Sequence, residues 1–387
     1  MGNPSQIYRL IDRELKRRGD LRDVDDLSDF EFNYVYLDAV EGSLEFMEDT
    51  DPEMSTLQSL SDQQTNPSFL QPQIYSSQSS SWAPFVNKNR TLRRGDSLKI
   101  ASWNLLFSAP AAAARTSAAI AYLRTMFGQQ PHNLVVMLQE ICQESFNVIL
   151  KDKWAQENFV LSNTEPAYFQ PSRYFTLMMV SRNLPISNCF RVPFISQMNR
   201  DALVVDIPLY GYNGHEGSKW SLRLCTTHLE SLYTGKEFRS RQLVQVSALL
   251  KGGSSQGQIV YGGLVGGDMN PADRSEHDTH RAPEVDLKDV WEDEPAPIPP
   301  VLKPFQKDIT YGKARGNTWG YQSNRARSRR RLDKFLYTGS IETFALSEAQ
   351  DTTGKLGRFG IGLKTKVGLD DVWVSDHFGI TVGITVV

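Results

Sequence analysis

The chain has 387 residues, enough for one large domain or two ordinary ones, and 40% of them are hydrophobic, so a sizeable core can form. Its three cysteines, Cys142, Cys189 and Cys225, are odd in number and lack Cys-x-x-Cys spacing, which argues against a zinc site or a disulfide framework. No apolar run approaches the ~20 residues that a membrane-spanning helix needs, so we expect no membrane partner.

The net charge of −3 is unevenly distributed along the chain. Residues 20–53 hold thirteen acidic side chains and a single basic one, Arg22, whereas the chain after residue 54 is net basic. A basic domain suits a polyanionic partner. The N-terminal segment 1–53 also contains several aromatic residues among its acidic ones. The sequence leaves open whether this segment binds a protein partner or is a solvated acidic tail.

Residues 54–95 are rich in serine and glutamine with scattered proline, a composition typical of a flexible linker. From residue 96 to residue 387 the pattern changes to apolar runs mixed with helix-like segments, which favours an α/β layer fold. The predicted strands are 97–104, 134–139, 174–181, 202–207, 221–228, 258–266, 332–337 and 379–387, and the predicted helices are 111–127 and 236–251.

Six short polar motifs lie at the ends of predicted strands, in a fixed order along the chain. A single motif such as Gly-Asp-x-Asn is often only a turn, because Asp and Asn hydrogen-bond their own backbone. Six of them at strand ends are hard to attribute to chance, and strand ends are where a sandwich fold would gather a site. The motifs are Ser102-Trp103-Asn104, Leu138-Gln139-Glu140, Thr227-His228-Leu229-Glu230-Ser231, Gly267-Asp268-Met269-Asn270, Arg331-Leu332-Asp333 and Ser375-Asp376-His377.

This ordered set resembles the endonuclease/exonuclease/phosphatase superfamily from about residue 97 to the end of the chain. Within that superfamily it is most similar to the tyrosyl-DNA phosphodiesterase 2 branch, through Tyr174, Arg239, Asp289-Val290-Trp291 and Thr318-Trp319. The resemblance implies two packed mixed β-sheets flanked by helices, the four-layer DNase I-like sandwich. It also implies an Mg²⁺-dependent phosphodiesterase that hydrolyses 5′-phosphotyrosyl bonds, the protein–DNA adducts at DNA ends, in DNA repair.

The chemistry of phosphodiester cleavage explains why these residue types occur together. The anion needs positive charge on its non-bridging oxygens and an activated water in line with the leaving group. Hard oxygen ligands select Mg²⁺, for which Mn²⁺ can substitute. Glu140 is the first candidate for a metal ligand, and Asp376 would lie near the metal or its waters. Asp268 is the candidate base, while Asn104 and Asn270 would hold the phosphate and the water.

Two histidines are candidate donors to the phosphate. His377 would donate best as an imidazolium, and a carboxylate partner would raise its pKa and fix its tautomer. The resemblance implies that Asp333 is the carboxylate partner of His377. His228 would be the second donor.

Three further residues are candidates for contact with the substrate. Tyr174 and Trp319 align with positions that contact DNA ends in the branch, although ordinary core or rim aromatics would give the same pattern. Arg239 follows the His-Leu-Glu-Ser motif at the spacing of the branch. The basic run 324–331 could contact phosphates, act as a nuclear import signal or be a solvated loop. We expect a nuclear location, with the cytoplasm as the alternative.

Two positions depart from the branch. The branch has an aspartate, a second metal ligand, where this chain has Leu106, which cannot coordinate a cation. Either Asp376 or a water replaces that ligand, or metal affinity is weaker. The branch also has an arginine that contacts the substrate where this chain has Ala272.

Other functions share the same core of residues. An apurinic endonuclease, an RNA exonuclease and an inositol-phosphate phosphatase are the alternative enzymes of the superfamily. A non-catalytic nucleic-acid-binding relative is the alternative of a different class, and Leu106 is the one feature that favours it.

Overall fold

The computed structural model describes eight stretches of the chain, which are 66–87, 90–166, 173–210, 220–252, 259–272, 274–292, 316–322 and 329–387. The predicted acidic segment 1–53 and residues 324–328 of the basic run lie outside them. One compact unit spans Thr65–Val387. Within the described stretches, every helix is too short or too polar to cross a membrane.

The described residues form nineteen strands and four α-helices. The strands are β1 (Ser68–Phe69), β2 (Gln73–Ser76), β3 (Ser81–Pro84), β4 (Ser97–Asn104), β5 (Leu134–Ile141), β6 (Phe159–Leu161), β7 (Phe175–Ser181), β8 (Asn188–Pro193), β9 (Asp201–Pro208), β10 (Trp220–His228), β11 (Ile259–Asp268), β12 (Lys288–Asp289), β13 (Asp333–Gly339), β14 (Ile341–Phe344), β15 (Asp351–Thr353), β16 (Leu356–Phe359), β17 (Lys364–Val367), β18 (Asp370–Trp373) and β19 (Gly379–Val386). The helices are α1 (Ala112–Phe127), α2 (Gln143–Lys151), α3 (Lys153–Asn158) and α4 (Lys236–Leu250).

Two large sheets contain most of the strands. The first sheet has the strand order β1-β8-β9-β10-β11-β13-β12, and the second has the order β15-β16-β19-β4-β5-β7-β6-β2-β3, with β14 also paired to β19. Strand β10 runs parallel to β11 and β4 runs parallel to β5, whereas the other pairings in both sheets are antiparallel. The expected fold of two mixed sheets flanked by helices is confirmed.

Both faces of the central strands are covered, which explains their continuous apolar sequences. In β9, Leu203 and Val205 point into the core between the sheets, while Ala202 and Val204 point to the side covered by α4. This alternation follows from the two-residue period of a strand. Helix α1 packs on the outer face of the second sheet through residues such as Ile120.

The interpretation of residues 54–95 as a linker is wrong for residues 68–84, which contain three short strands at the margins of the two sheets. β1 pairs with β8 in the first sheet, and the β2–β3 hairpin pairs with β6 in the second. The ring of Phe69 lies 5.5 Å from that of Phe190, and Nε1 of Trp82 donates to the Leu150 carbonyl. The folded domain therefore begins well before residue 96.

The polar motifs meet at one end of the two sheets. Parallel strands β10 and β11 end together, with His228 and Asp268 as register partners. Strand β13 starts at the same level, because Asp333 is the register partner of Asp268. In the second sheet β4 ends at Asn104. The fold thus brings residues from distant parts of the sequence to a common cleft.

Candidate active site

A close approach of two strands places Asp268 in the cleft. Gly267 has a φ of +153°, and a Cβ at this position would lie 2.0 Å from the carbonyl oxygen of Thr227 on β10. Only glycine permits this approach of the two backbones. The Gly-Asp sequence is therefore required by the packing of β10 against β11, and it sets Asp268 beside His228.

An irregularity in β5 aims Glu140 into the same cleft. The register between β5 and β7 shifts between Leu138 and Ile141, and Glu140 has a φ of +59°, which is uncommon for a residue other than glycine. Bulges of this kind re-aim side chains beside functional sites. Nδ2 of Asn104 donates to Oε1 of Glu140 and the backbone N of Phe107 donates to Oε2, both at 2.9 Å.

Asp268 is the centre of the arrangement. Its Oδ2 accepts a hydrogen bond of 3.1 Å from Nδ2 of Asn104. The same oxygen lies 3.5 Å from Nε2 of His228 and 3.7 Å from Nε2 of His377. Burial raises the pKa of Asp268 to about 7, with Asp333 adding to the shift and His377 opposing it. A carboxylate with a pKa near neutrality is suited to accept a proton from water.

His377 and Asp333 form a buried ion pair. Nδ1 of His377 lies 2.8 Å from Oδ2 of Asp333. Burial alone would lower the pKa of His377, but Asp333, Asp376 and Asp268 outweigh it and raise the pKa well above its ordinary value. The sequence-based pairing is therefore present in the structure, and it favours the imidazolium form of His377.

His228 has the opposite environment. Burial lowers its pKa well below the ordinary value, and the positive charges of Arg200 and His377 lower it further. Nη1 of Arg200 lies 3.2 Å from Nδ1 of His228. The ring is therefore neutral at physiological pH.

Arg200 and Ser231 are site residues that the sequence analysis did not identify. Nη2 of Arg200 donates to Oγ of Ser231 at 2.8 Å, and the guanidinium carbon lies 5.2 Å from the centre of the Tyr174 ring. Nδ2 of Asn270 donates to the same Ser231 hydroxyl at 3.3 Å and to the Leu229 carbonyl at 3.1 Å. Asn270 therefore uses its amide donors to hold the loop after β10. Ser231 belongs to the His-Leu-Glu-Ser motif, whereas Arg200 lies in no motif.

The two candidate aromatic residues both border the cleft. Tyr174 stacks on Phe107 with a ring separation of 4.2 Å, and its centre lies 5.9 Å from the His228 ring. Nε1 of Trp319 donates to Oδ2 of Asp376 at 2.8 Å. Both rings are half-buried, as expected of a cleft wall.

The prediction that Arg239 contacts the substrate is wrong. Its side chain is 2% exposed, and its Nε and Nη2 atoms pair with the two carboxylate oxygens of Glu276. Nη1 donates to the carbonyls of Glu230 and Leu232. Arg239 matches the spacing of a motif, but spacing does not specify orientation, and this face of α4 packs inward. Its role is to join the loop after β10 to the loop after β11.

Glu140 and Asp376 fit a hard divalent cation. Burial raises the pKa of Glu140, and the negative charge of Asp376 raises it further, so a bound cation would relieve this repulsion. Oδ1 of Asp376 is buried, accepts no hydrogen bond from the described residues and lies 3.9 Å from Nε2 of His377, so it has a lone pair available for a cation. Leu106 stays apart from this set, with its backbone N bonded to Oδ1 of Asn104. The ligand atoms of Asp268, Asp333 and His377 also lie within 4.8 Å of one another, but the charge of His377 opposes a metal there.

A second acidic cluster lies away from the cleft and is already neutralised. Ligand atoms of His280, Asp289 and Glu292 lie within 4.8 Å of one another. However, Nη1 of Arg331 pairs with Asp289 at 2.5 Å, and Nη2 of Arg281 pairs with Glu292 at 2.8 Å. These cations take the place that a metal would occupy, so we assign the cluster a structural role.

Comparisons with solved structures agree with the fold. Truncated TDP2 from Caenorhabditis elegans is 18% identical, with a TM-score of 0.51 and coverage of 75% of this chain and 97% of that one. D. rerio TDP2, complexed with single strand DNA product, is 22% identical, with a TM-score of 0.51 and coverage of 75% and 99%. An endonuclease/exonuclease/phosphatase from Bacteroides vulgatus is 11% identical, with a TM-score of 0.50 and coverage of 76% and 100%. At these identities the likeness shows the fold alone.

Sequence comparison gives the family. A search of curated proteins found no match. The model of the Endonuclease/Exonuclease/phosphatase family, by contrast, matches residues 101–377, which is more than half of the chain and includes every strand end that contributes to the cleft. Members of that family are hydrolases that act on phosphodiester bonds, generally with a divalent metal ion. The chain belongs to the Endonuclease/Exonuclease/phosphatase family.

Proposed function

We propose that the chain is an Mg²⁺-dependent phosphodiesterase that hydrolyses 5′-phosphotyrosyl bonds at DNA ends, and that it acts in DNA repair in the nucleus. The observation that supports it best is the position of Oδ2 of Asp268. Three donor groups, from Asn104, His228 and His377, face this oxygen within 3.7 Å. A general base surrounded by phosphate-binding donors is the arrangement that phosphodiester hydrolysis requires.

Each side chain has a defined part in the reaction. Asp268 accepts the proton of the attacking water, which Asn104 and the carbonyl oxygen of Asn270 orient. His377, as an imidazolium, and His228, as a neutral donor, hydrogen-bond the non-bridging oxygens of the phosphate. Glu140 and Asp376 hold the divalent cation, which when bound supplies positive charge at the phosphate.

The walls of the cleft support a DNA end with an aromatic leaving group. Tyr174, stacked on Phe107, and Trp319, bonded to Asp376, provide flat surfaces close to the donors. Aromatic side chains stack on unpaired bases, with about 1–3 kcal/mol lost per base on alanine substitution. A phenolate is also a better leaving group than an alkoxide, which suits a site without a ligand at Leu106. A relative with this fold is complexed with single strand DNA product.

The direct test compares three end-labelled oligonucleotides of one sequence, which carry a 5′-tyrosyl group, a 3′-tyrosyl group or an internal abasic site. We expect 5′-tyrosyl cleavage to be the fastest, with EDTA and the substitution Asp268→Asn as negative controls. A faster rate on the abasic substrate would assign the chain to apurinic endonucleases instead. An RNA version of the 5′-tyrosyl substrate measures the preference between DNA and RNA.

A further inference from the structure

A run of hydrogen bonds links the buried carboxylate of Glu230 to the backbone of Arg200. Oε2 of Glu230 accepts from Oγ of Ser196 at 2.6 Å and from Nε2 of Gln242 at 3.1 Å. The Ser196 hydroxyl in turn accepts from the backbone N of Met198 at 3.0 Å and of Arg200 at 2.9 Å. One hydroxyl group therefore fixes the turn 196–200 that carries Arg200, and Glu230 fixes the hydroxyl.

The guanidinium of Arg200 is held at its far end as well. Nη2 donates to Oγ of Ser231 at 2.8 Å and lies 3.6 Å from Sδ of Met198. The side chain is buried, with 5% of its surface exposed. Because both the backbone and the guanidinium of Arg200 are held by hydrogen bonds, the position of Nη1 is fixed. Nη1 lies 3.2 Å from Nδ1 of His228.

The chemistry of a guanidinium determines the direction of that last hydrogen bond. Arginine has five N–H donors and no acceptor, so Nδ1 of His228 must be the acceptor and must carry the lone pair. The carboxylate nearest to Nδ1 belongs to Glu140, and its Oε1 is 3.9 Å away, beyond hydrogen-bonding distance. In a neutral imidazole the proton is then on Nε2, the atom that lies 3.5 Å from Oδ2 of Asp268.

We propose that Arg200 sets the tautomer of His228, and that Ser196 and Glu230 are positioning residues that hold Arg200 for this purpose. The outcome is an Nε2–H group on the side of the ring that faces Asp268 and, under the proposed function, the reacting phosphate. The other tautomer would present a lone pair to an anion and would lose this hydrogen bond. The tautomer itself is a property of the free protein and can be measured without a substrate.

Nitrogen NMR of the full chain labelled with ¹⁵N-histidine tests the inference directly, since the two tautomers give distinct patterns of ring nitrogen shifts. The His228 signals are assigned by their loss in His228→Gln. We expect the Nε2–H tautomer in the wild type, a mixture of both tautomers in Arg200→Met, and retention of Nε2–H in Arg200→Lys, which keeps a donor. Arg241→Met, at an exposed position, is the control. An Nδ1–H tautomer in the wild type, or the same tautomer ratio in folded Arg200→Met, would overturn the proposal.

A double-mutant cycle tests the role of Ser196. We expect Ser196→Ala to lower kcat on a 5′-tyrosyl oligonucleotide by about 10-fold, the scale of losing a group that orients a site residue. In the Arg200→Met background the same substitution should change kcat by less than about twofold, because its effect passes through Arg200. Ser247→Ala, which removes a hydroxyl bonded to the Val285 carbonyl, is the matched control in both backgrounds. Equal losses in the two backgrounds would refute the positioning role.

The two measurements separate this inference from the proposed function. If the NMR pattern is as expected and no phosphodiester is cleaved, the proposed function fails while the assignment of the tautomer stands. If hydrolysis is found and His228 carries its proton on Nδ1, the assignment of the tautomer fails while the proposed function stands.

Discussion

Nδ1 of His377 lies 2.8 Å from Oδ2 of Asp333, and both side chains are buried. On the other side of Asp268, His228 faces the guanidinium of Arg200 instead. The two histidines that flank the candidate base therefore differ in charge, with His377 as an imidazolium and His228 neutral. Environments that push pKa values apart in this way are typical of acid–base assignments in active sites.

The first prediction concerns the pH dependence of His377. Its pKa is raised above the ordinary value of about 6.5, so the donating imidazolium persists above that pH in the wild type. Asp333→Asn removes one of the charges that raise the pKa, and we expect the basic limb of the kcat/KM profile to move to lower pH by at least about one unit. Asp286→Asn, an exposed position, is the control. An equal loss of activity at every pH would show that Asp333 acts in some other way.

The same ion pair predicts how stability varies with pH. Because the folded-state pKa of His377 is raised, its contribution is fully present below the unfolded value of about 6.5 and is lost as the pH rises through the folded-state pKa. In Asp333→Asn this loss should occur at lower pH. Urea unfolding at a series of pH values measures the free energy of unfolding for both proteins. Superimposable pH dependences would contradict the prediction.

The second prediction concerns the metal. Glu140→Gln keeps the size of the side chain and removes its charge, so we expect hydrolysis to fall by at least about 100-fold. Calorimetric titration with Mn²⁺ should show weaker binding in the variant, independently of activity. The fold should survive, because the carboxylate faces a polar cleft. Glu237→Gln on the exposed face of α4 is the control. Unchanged Mn²⁺ affinity would remove Glu140 from the ligand set.

The third prediction compares two N-terminal deletions, of which only the longer one removes strands β1 and β2. Removal of residues 1–64 should leave activity on short oligonucleotides within about a few-fold, since the compact unit begins at Thr65. Removal of residues 1–81 also deletes β1 and β2 and exposes Phe190 and the edge of β6. We expect the melting temperature of the second protein to be lower by at least about 5 °C, which corresponds to roughly 2 kcal/mol in a domain of this size. Equal melting temperatures would mean that the edge strands contribute nothing to stability.

The fourth prediction concerns Ala272, which is half-buried in the loop after β11 and whose backbone N donates to Oε2 of Glu276 at 3.0 Å. A hydrogen bond to a charged group contributes about 1.5–3 kcal/mol, so Ala272→Arg should raise kcat/KM on the 5′-tyrosyl oligonucleotide by at least about 10-fold. The gain should shrink as salt concentration rises. Ala272→Met, which adds length without charge, should show no gain. A similar gain with methionine would point to packing rather than to a phosphate contact.

The long strands could be predicted from sequence because their apolar runs are buried on both faces. The predicted strand 97–104 is found as β4, and the predicted helix 236–251 differs from α4 by a single residue. The sequence does not predict β1, β2 and β3, because these strands have two to four residues each and lie in a Ser/Gln-rich stretch. Their sequences bury little apolar surface, and neighbouring strands supply most of their stabilisation.

The candidate site could be predicted only where residue type and strand position coincide. Asp268 ends β11 and His377 precedes β19, each within a recognisable motif, and the fold brings their side chains to within 3.7 Å. Arg200 has no such signal, because its partners, His228 and Ser231, are about thirty residues away along the chain. Arg239 has the residue type and the spacing of the motif, but its side chain is buried against Glu276 and does not face the cleft. A motif does not specify which face of a helix is buried.

The measurement that tests the central claim most directly is the hydrolysis of thymidine 5′-(p-nitrophenyl) phosphate by the purified full chain, followed by release of nitrophenolate during a titration with Mg²⁺. We predict saturable, Mg²⁺-dependent hydrolysis that EDTA abolishes and that Asp268→Asn lowers by at least about 100-fold while the melting temperature changes little. Hydrolysis that persists in EDTA, or that is unchanged by Asp268→Asn, would contradict the assignment of this cleft as a metal-dependent phosphodiesterase site.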